Sequence, residues 1–250
     1  MTDLSGKVAV ATSSSRGIGS AIVQRYAWLG ASVVIAYSTD EDGALHTLEE
    51  VEAAGGRGIV VRADVASPAG LDALYATAVD TFGRLDIVVA NAGEEVADRP
   101  VAEVTEEQFD RLFAVNAKGA FFALQKAARL VSDGGRLIYV GSGTTTGPRP
   151  GTGLYSSSKR VAEHLVRVLA MELSPRNVTV NTILPAVALG AGVPTGAAAG
   201  GGFHHTARFP PLGGRGDGPE DVADAAEYLA GELAGRVSGQ SLVVSGGAPR

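Results

Sequence analysis

The sequence contains no cysteine. That excludes disulfides, thiolate catalysis and cysteine-based zinc sites. No run of about 18 apolar residues occurs, and the first residues, Met1 to Lys7, lack the apolar core of a secretory leader. Neither a membrane span nor an exported precursor is therefore expected, and the default reading is a soluble cytoplasmic protein. Charge is sparse, at 19% of residues with a formal net charge of −6, which argues against a general nucleic-acid or polyanion binder. Only four histidines are present, and two of them, His204 and His205, are adjacent. Adjacent side chains rarely converge on one ion and no carboxylate cluster lies nearby, so no metal site is expected. The single tryptophan, Trp28, is expected to pack the first helix.

What is present is a regular alternation. Short apolar runs at 8–11, 32–36, 58–61, 85–90, 136–140, 178–183 and 241–244 read as strands. Several are apolar throughout, as expected for strands covered on both faces. Between them, 18–29, 41–54, 69–82, 106–130, 154–173 and 220–233 carry helical patterns. This order implies an α/β fold with a parallel sheet, right-handed crossovers and helices on the sheet faces. No linker divides the chain, so 1–250 reads as one domain. Residues 186–218 stand apart by their Gly, Ala and Pro content. Phe203, Phe209 and Leu212 punctuate the glycines, and the segment is read as a substrate lid.

Three places carry chemistry. After the first strand comes Thr12-Ser13-Ser14-Ser15-Arg16-Gly17-Ile18-Gly19, then a helix. Amides at a helix start attract phosphate, and glycines allow its close approach. The second strand ends Ala36-Tyr37-Ser38-Thr39, with no acid before Asp40. An acid at that strand end selects NAD by holding the ribose hydroxyls. Hydroxyls there, with Arg16 as a cation, suit a 2′-phosphate instead, so NADPH is favoured over NADH. The bland alternatives are a solvated Arg16 and a turn residue at Ser38. Finally, Tyr155 and Lys159 lie four apart on a helix, with Ser142 upstream. A neighbouring ammonium favours the phenolate and lowers the phenol pKa.

Together these pieces resemble the short-chain dehydrogenase/reductase family, particularly its ketoacyl-reductase-like members. The resemblance covers nearly the whole chain. It adds Asp64-Val65, Asn91-Ala92-Gly93, Asn116 to Gly119, Asn181 to Pro185, Pro219 to Ala223, Ser238 to Gln240 and Gly246-Gly247. It implies a doubly wound, seven-stranded Rossmann-like sheet and assembly as a homodimer or homotetramer. It also implies catalytic roles. Tyr155 exchanges the proton, Lys159 lowers its pKa and holds the nicotinamide ribose, Ser142 polarises the carbonyl, and Asn116 positions a water linking Lys159 to solvent, although Asn116 could instead simply bond backbone in a helix break and Ser142 could be a strand-end turn hydroxyl. Asp64 and Val65 would meet the adenine, although Asp64 could instead cap the helix that begins near Pro68. Asn91 to Gly93, Pro185 and Val187 would line the rest of the cofactor cleft.

Four positions depart from the family pattern: Ser13 and Ala186 stand where glycine is usual, Ala90 where asparagine is usual, and Gly190 where threonine is usual. The proton-transfer residues remain. The expectation is an NADPH-dependent reductase of a ketone of fatty-acyl, polyketide or secondary-metabolite type, free or bound to an acyl carrier. The runners-up are an NAD-dependent alcohol dehydrogenase and a non-catalytic nucleotide sensor or scaffold.

Overall fold

The structure is a computed structural model that describes residues 2–95, 99–186, 212–215 and 217–247. Seven parallel strands form one sheet: β1 (Val8–Ala11), β2 (Ser32–Tyr37), β3 (Arg57–Arg62), β4 (Ile87–Ala90), β5 (Arg136–Val140), β6 (Thr179–Pro185) and β7 (Ser241–Val244). Their order is β3-β2-β1-β4-β5-β6-β7. Alternate strand residues feed two apolar layers, as the period of two requires. Ala9, Val33, Ile35, Ile87 and Ile138 face α1 (Gly17–Trp28), α2 (Glu41–Ala53) and α7 (Pro219–Ala230). Val10, Val34, Val88 and Leu137 face α3 (Pro68–Phe82), α5 (Ala120–Leu130) and α6 (Gly153–Glu172).

The helix starts are chemically specified. Ser67 accepts the Gly70 amide ahead of Pro68, so Ser67, and not Asp64, caps α3. Asp64 instead accepts the Ala66 amide in a local turn. Thr105 and Gln108 form a reciprocal capping box on α4 (Glu106–Phe113).

Two expectations need correction. The pattern over 106–130 is not one regular helix. Between α4 and α5 the residues Ala114–Gly119 form a π-helical turn, which widens the helix at Asn116. The apolar stripe runs through the insertion, so periodicity alone does not reveal it. Trp28 does not pack: it is 57% exposed. It is the last residue of α1 and falls off the buried stripe of Ile22, Val23 and Tyr26.

The strand order reverses between β1 and β4. In such sheets the crevice beyond the strand ends at that reversal is the preferred ligand position. Residues 12–16 and 91–95 line it here.

Candidate active site

The crevice is stitched by side-chain-to-backbone bonds. Thr12 Oγ1 accepts the amides of Asn91 at 3.0 Å and Ala92 at 2.9 Å. Asn91 Nδ2 returns bonds to the carbonyls of Thr12 and Ser13, both at 3.0 Å. Buried Ser14 ties the turn to β2: its hydroxyl donates to Ala11 O and accepts the Ala36 amide. Two loops from different strands are thus locked edge to edge before any ligand enters.

The turn fits a pyrophosphate. Helix α1 begins at Arg16 with no side-chain cap and no acid in its first turn, which leaves its leading amides for an outside anion. At Gly19 a Cβ would fall 2.4 Å from Ser13 O and 2.8 Å from Asn91 Nδ2, so only glycine closes the packing. Ser13 takes φ +53°, a left-handed conformation that costs a non-glycine residue about 1–2 kcal/mol. Glycine relieves that strain but adds about 0.5–1 kcal/mol of unfolded-chain entropy. Ser13→Gly should therefore stabilise the protein by up to about 1 kcal/mol, seen as a higher melting temperature. A lower one would mean that the serine side chain holds the turn.

At the adenine end, Ser38 is exposed and its carbonyl accepts Arg62 Nε at 3.2 Å. Arg62 pairs in register with Tyr37 across β2 and β3. It supplies a cation next to Ser38, in addition to Arg16, that the sequence reading did not single out. Tyr37 is buried against the sheet, and burial pushes its phenol up. Val65 packs its backbone carbonyl against the π-turn at Gly119. Arg16 is not merely solvated, since it pairs with Asp40 at 3.2 Å.

The proton-transfer end is built on α6. Ser142, just past β5, shares a hydrogen bond of 2.9 Å with Thr144, and it stands near enough to Tyr155 to draw the phenol pKa down. Lys159 is 3% exposed and donates to Val140 O at 3.2 Å. Its Nζ lies 6.0 Å from the centre of the Tyr155 ring. A Cβ on Gly93 would meet that Nζ at 2.6 Å, so the glycine leaves open the space above the ammonium. Burial pulls Lys159 down to about 8. Tyr155 is not depressed in this state: burial, then Glu95, push it up to about 12, against the smaller downward effect of the Ser142 bond. The expected lowering by Lys159 does not figure among the influences on the phenol, which are its desolvation, the nearby carboxylate and Ser142.

Glu95 is the group that sequence reasoning missed here. It follows the Asn91-Ala92-Gly93 turn and carries negative charge toward both Tyr155 and Lys159. Asn116 orients that loop. Its Oδ1 accepts the Glu94 amide and its Nδ2 donates to the Glu94 carbonyl, each at 2.8 Å, and Nδ2 also bonds Ser158 Oγ. Ser158 in turn donates to Tyr155 O. The Asn116 side chain is thus committed to bracing the loop against α6.

At the end of β6, Pro185 and the following Ala186 lie against Gly143, the residue after Ser142: a Cβ there would meet Pro185 O at 3.1 Å and Ala186 Cα at 3.0 Å. Val187, Gly190, His204 and His205, with most of the proposed lid, lie outside the described residues. No group of metal-binding side chains occurs among the described residues, and no helix among them is long and apolar enough to cross a membrane.

Residues 12–249 match a family model described as Enoyl-(Acyl carrier protein) reductase. An uncharacterized oxidoreductase of Methylorubrum extorquens is 39% identical over 249 residues, spanning 99% of each chain. A short chain dehydrogenase from Burkholderia cenocepacia J2315, solved in complex with NADP, superposes with a TM-score of 0.88 at 33% identity over 98% of each chain. The landomycin C-6 ketoreductase, solved with bound NADP and rabelomycin, superposes with a TM-score of 0.87 at 34% identity, covering 98% of this chain and 97% of that one.

Proposed function

The chain belongs to the short-chain dehydrogenase/reductase family, and on that premise we propose that it is an NADPH-dependent reductase converting a ketone to a secondary alcohol. The observation that carries this reading is the convergence of Ser142, Tyr155 and Lys159 in one partly dry corner of the crevice. A bound reduced nicotinamide supplies the hydride. As negative charge grows on the carbonyl oxygen, Tyr155 donates its proton and Ser142 donates a second hydrogen bond. Lys159 holds the ribose hydroxyls and returns a proton toward Tyr155. Asn116 keeps the Glu94 backbone and α6 in register.

NADPH over NADH is supported by Arg16 in the phosphate turn, Ser38 just after β2 and Arg62 at the end of β3 and by the NADP found in both solved relatives. A polyketide-like or fatty-acyl ketone is supported by the ketoreductase neighbour. We take 1–250 as one domain with a lid at 186–218, acting in the cytoplasm as a homodimer or homotetramer. Support for assembly comes from Phe109, Phe121 and Val161, exposed apolar side chains on α4, α5 and α6.

The test is NADPH oxidation with a panel of aromatic-polyketide ketones, β-ketoacyl thioesters and one enoyl thioester. Turnover of a ketone supports the reading. Turnover of the enoyl thioester alone replaces it with carbon–carbon double-bond reduction, and tight nucleotide binding without any turnover replaces it with a sensor.

A further inference from the structure

We infer that Thr144 fixes the direction of the hydrogen bonds at the reacting end of the site, so that Ser142 can only donate. This inference rests on the ketone-reductase reading above and adds a positioning residue to it. Ser142 caps the short 3₁₀ turn Gly143–Thr145 that follows β5. The Thr144 hydroxyl lies 2.9 Å from Ser142 Oγ, and the Thr144 amide donates to the same oxygen at 3.3 Å. Both residues are buried, Ser142 at 7% exposure and Thr144 at 8%. The turn itself is clamped: Thr145 Oγ1 donates to Ser142 O at 2.7 Å and Thr146 Oγ1 to Gly143 O at 2.9 Å.

A hydroxyl has one proton and two acceptor positions. Either hydroxyl can donate across the 2.9 Å contact, and the surroundings decide which. Thr144 Oγ1 makes no other hydrogen bond among the described residues. If Ser142 donated, the Thr144 proton would be a buried donor without an acceptor, which is the costlier arrangement. With Thr144 donating, every proton has a place. The Thr144 hydroxyl and amide fill both acceptor positions of Ser142, and the Ser142 proton is left for Tyr155 and the carbonyl.

The consequence is a one-way network. Tyr155 cannot donate to Ser142, whose acceptor positions are taken, so the phenol proton stays available to the substrate. Ser142 presents its own proton to whichever oxygen carries negative charge: the carbonyl oxygen during reduction, the phenolate during alcohol oxidation. The downward pull of Ser142 on the Tyr155 phenol has this direction. Glu95 after β4, Lys159 on α6 and Tyr139 on β5 are the other titratable groups set against that phenol among the described residues, and a change at Thr144 removes none of them.

The experiment measures ketone reduction and alcohol oxidation against pH for wild type, Thr144→Val, Thr144→Ala and Thr144→Ser, with a thermal melt of each. Valine keeps the shape and removes the hydroxyl, whereas serine keeps the hydroxyl. In Thr144→Val and Thr144→Ala, kcat for reduction should fall about three- to tenfold, the usual worth of one hydrogen bond, with the ketone KM within about twofold. The oxidation limb should move to higher pH in both, because Ser142 is then free to accept from the neutral phenol as well as to donate to the phenolate. Serine should restore both properties. A folded hydroxyl-free variant with wild-type kcat overturns the inference, and so does a Thr144→Ser variant as slow as Thr144→Val. A lower kcat with an unmoved oxidation limb overturns it too, since a packing defect alone would do that. These outcomes leave the reductase reading intact, whereas a wild type that reduces no ketone overturns that reading and the inference with it.

Discussion

Tyr155→Phe should lower kcat for ketone reduction by about 10²- to 10⁴-fold, the usual worth of a positioned general acid, while nucleotide affinity stays within about twofold. The substitution removes one oxygen and no ring contact. Ser142 remains held by Thr144, whose hydroxyl and amide both reach it, so the second hydrogen-bond donor to the substrate survives and the fold should tolerate the change. The pH profiles follow from the state of the phenol. With Tyr155 pushed up to about 12, it is protonated throughout the neutral range, so reduction should be nearly flat from about pH 6 to 8 and fall above that as Lys159, at about 8, loses the proton it returns. Alcohol oxidation needs the phenolate, so its rate should climb with pH over the same range. Glu95 raises the phenol pKa, so Glu95→Gln should move the oxidation limb to lower pH. Equal turnover by wild type and Tyr155→Phe would remove Tyr155 from the proton path and the reductase mechanism with it.

The parts of this site that were legible in the sequence are those fixed by local spacing. The Tyr155/Lys159 pair follows from helical geometry, and the strand positions follow from apolar runs that both sheet faces bury. Asp64 shows the limit of local reading: an acid ahead of Pro68 suggests a cap, yet Ser67, one residue before the proline, takes that role. What escaped was set by the meeting of segments distant in sequence. Asn116 could be marked from its motif, but its two-sided clamp on Glu94 depends on a π-turn that an uninterrupted apolar stripe conceals. Glu95 carries no motif, and its influence arises because Asn116 presents the loop to α6. Arg62 and Asp40 each look like ordinary surface charges until β2 and β3 align and the loop after β2 folds over Arg16. Ser13 departs from the family's usual glycine, and the structure gives it the same left-handed turn that glycine would take, at the cost of strain.

Lys159→Met should abolish most activity and yet raise the melting temperature. The wild-type ammonium is desolvated, and burial brings its pKa from 10.5 to about 8. At about 1.4 kcal/mol per decade of acidity, the protonated side chain destabilises the fold by roughly 3 kcal/mol. Between pH 8 and 10.5 the unfolded chain binds this proton and the folded one does not, so stability from this group rises with pH across that window. Below pH 8 both states are protonated and the full penalty stands. Above 10.5 both are neutral and it vanishes. Methionine keeps the length and volume but removes the charge, and it loses the bond to Val140 O, worth about 1–2 kcal/mol. The net gain at pH 7 should be about 1–2 kcal/mol, or roughly 2–6 °C in a chain of this size, and at pH 10 it should shrink toward zero or reverse. Thermal melts of both proteins at the two pH values check this. A variant that melts lower at pH 7 would show that the ammonium is held for stability. A variant that melts higher but is inactive would show that the fold bears a buried cation for the sake of the proton it delivers to Tyr155.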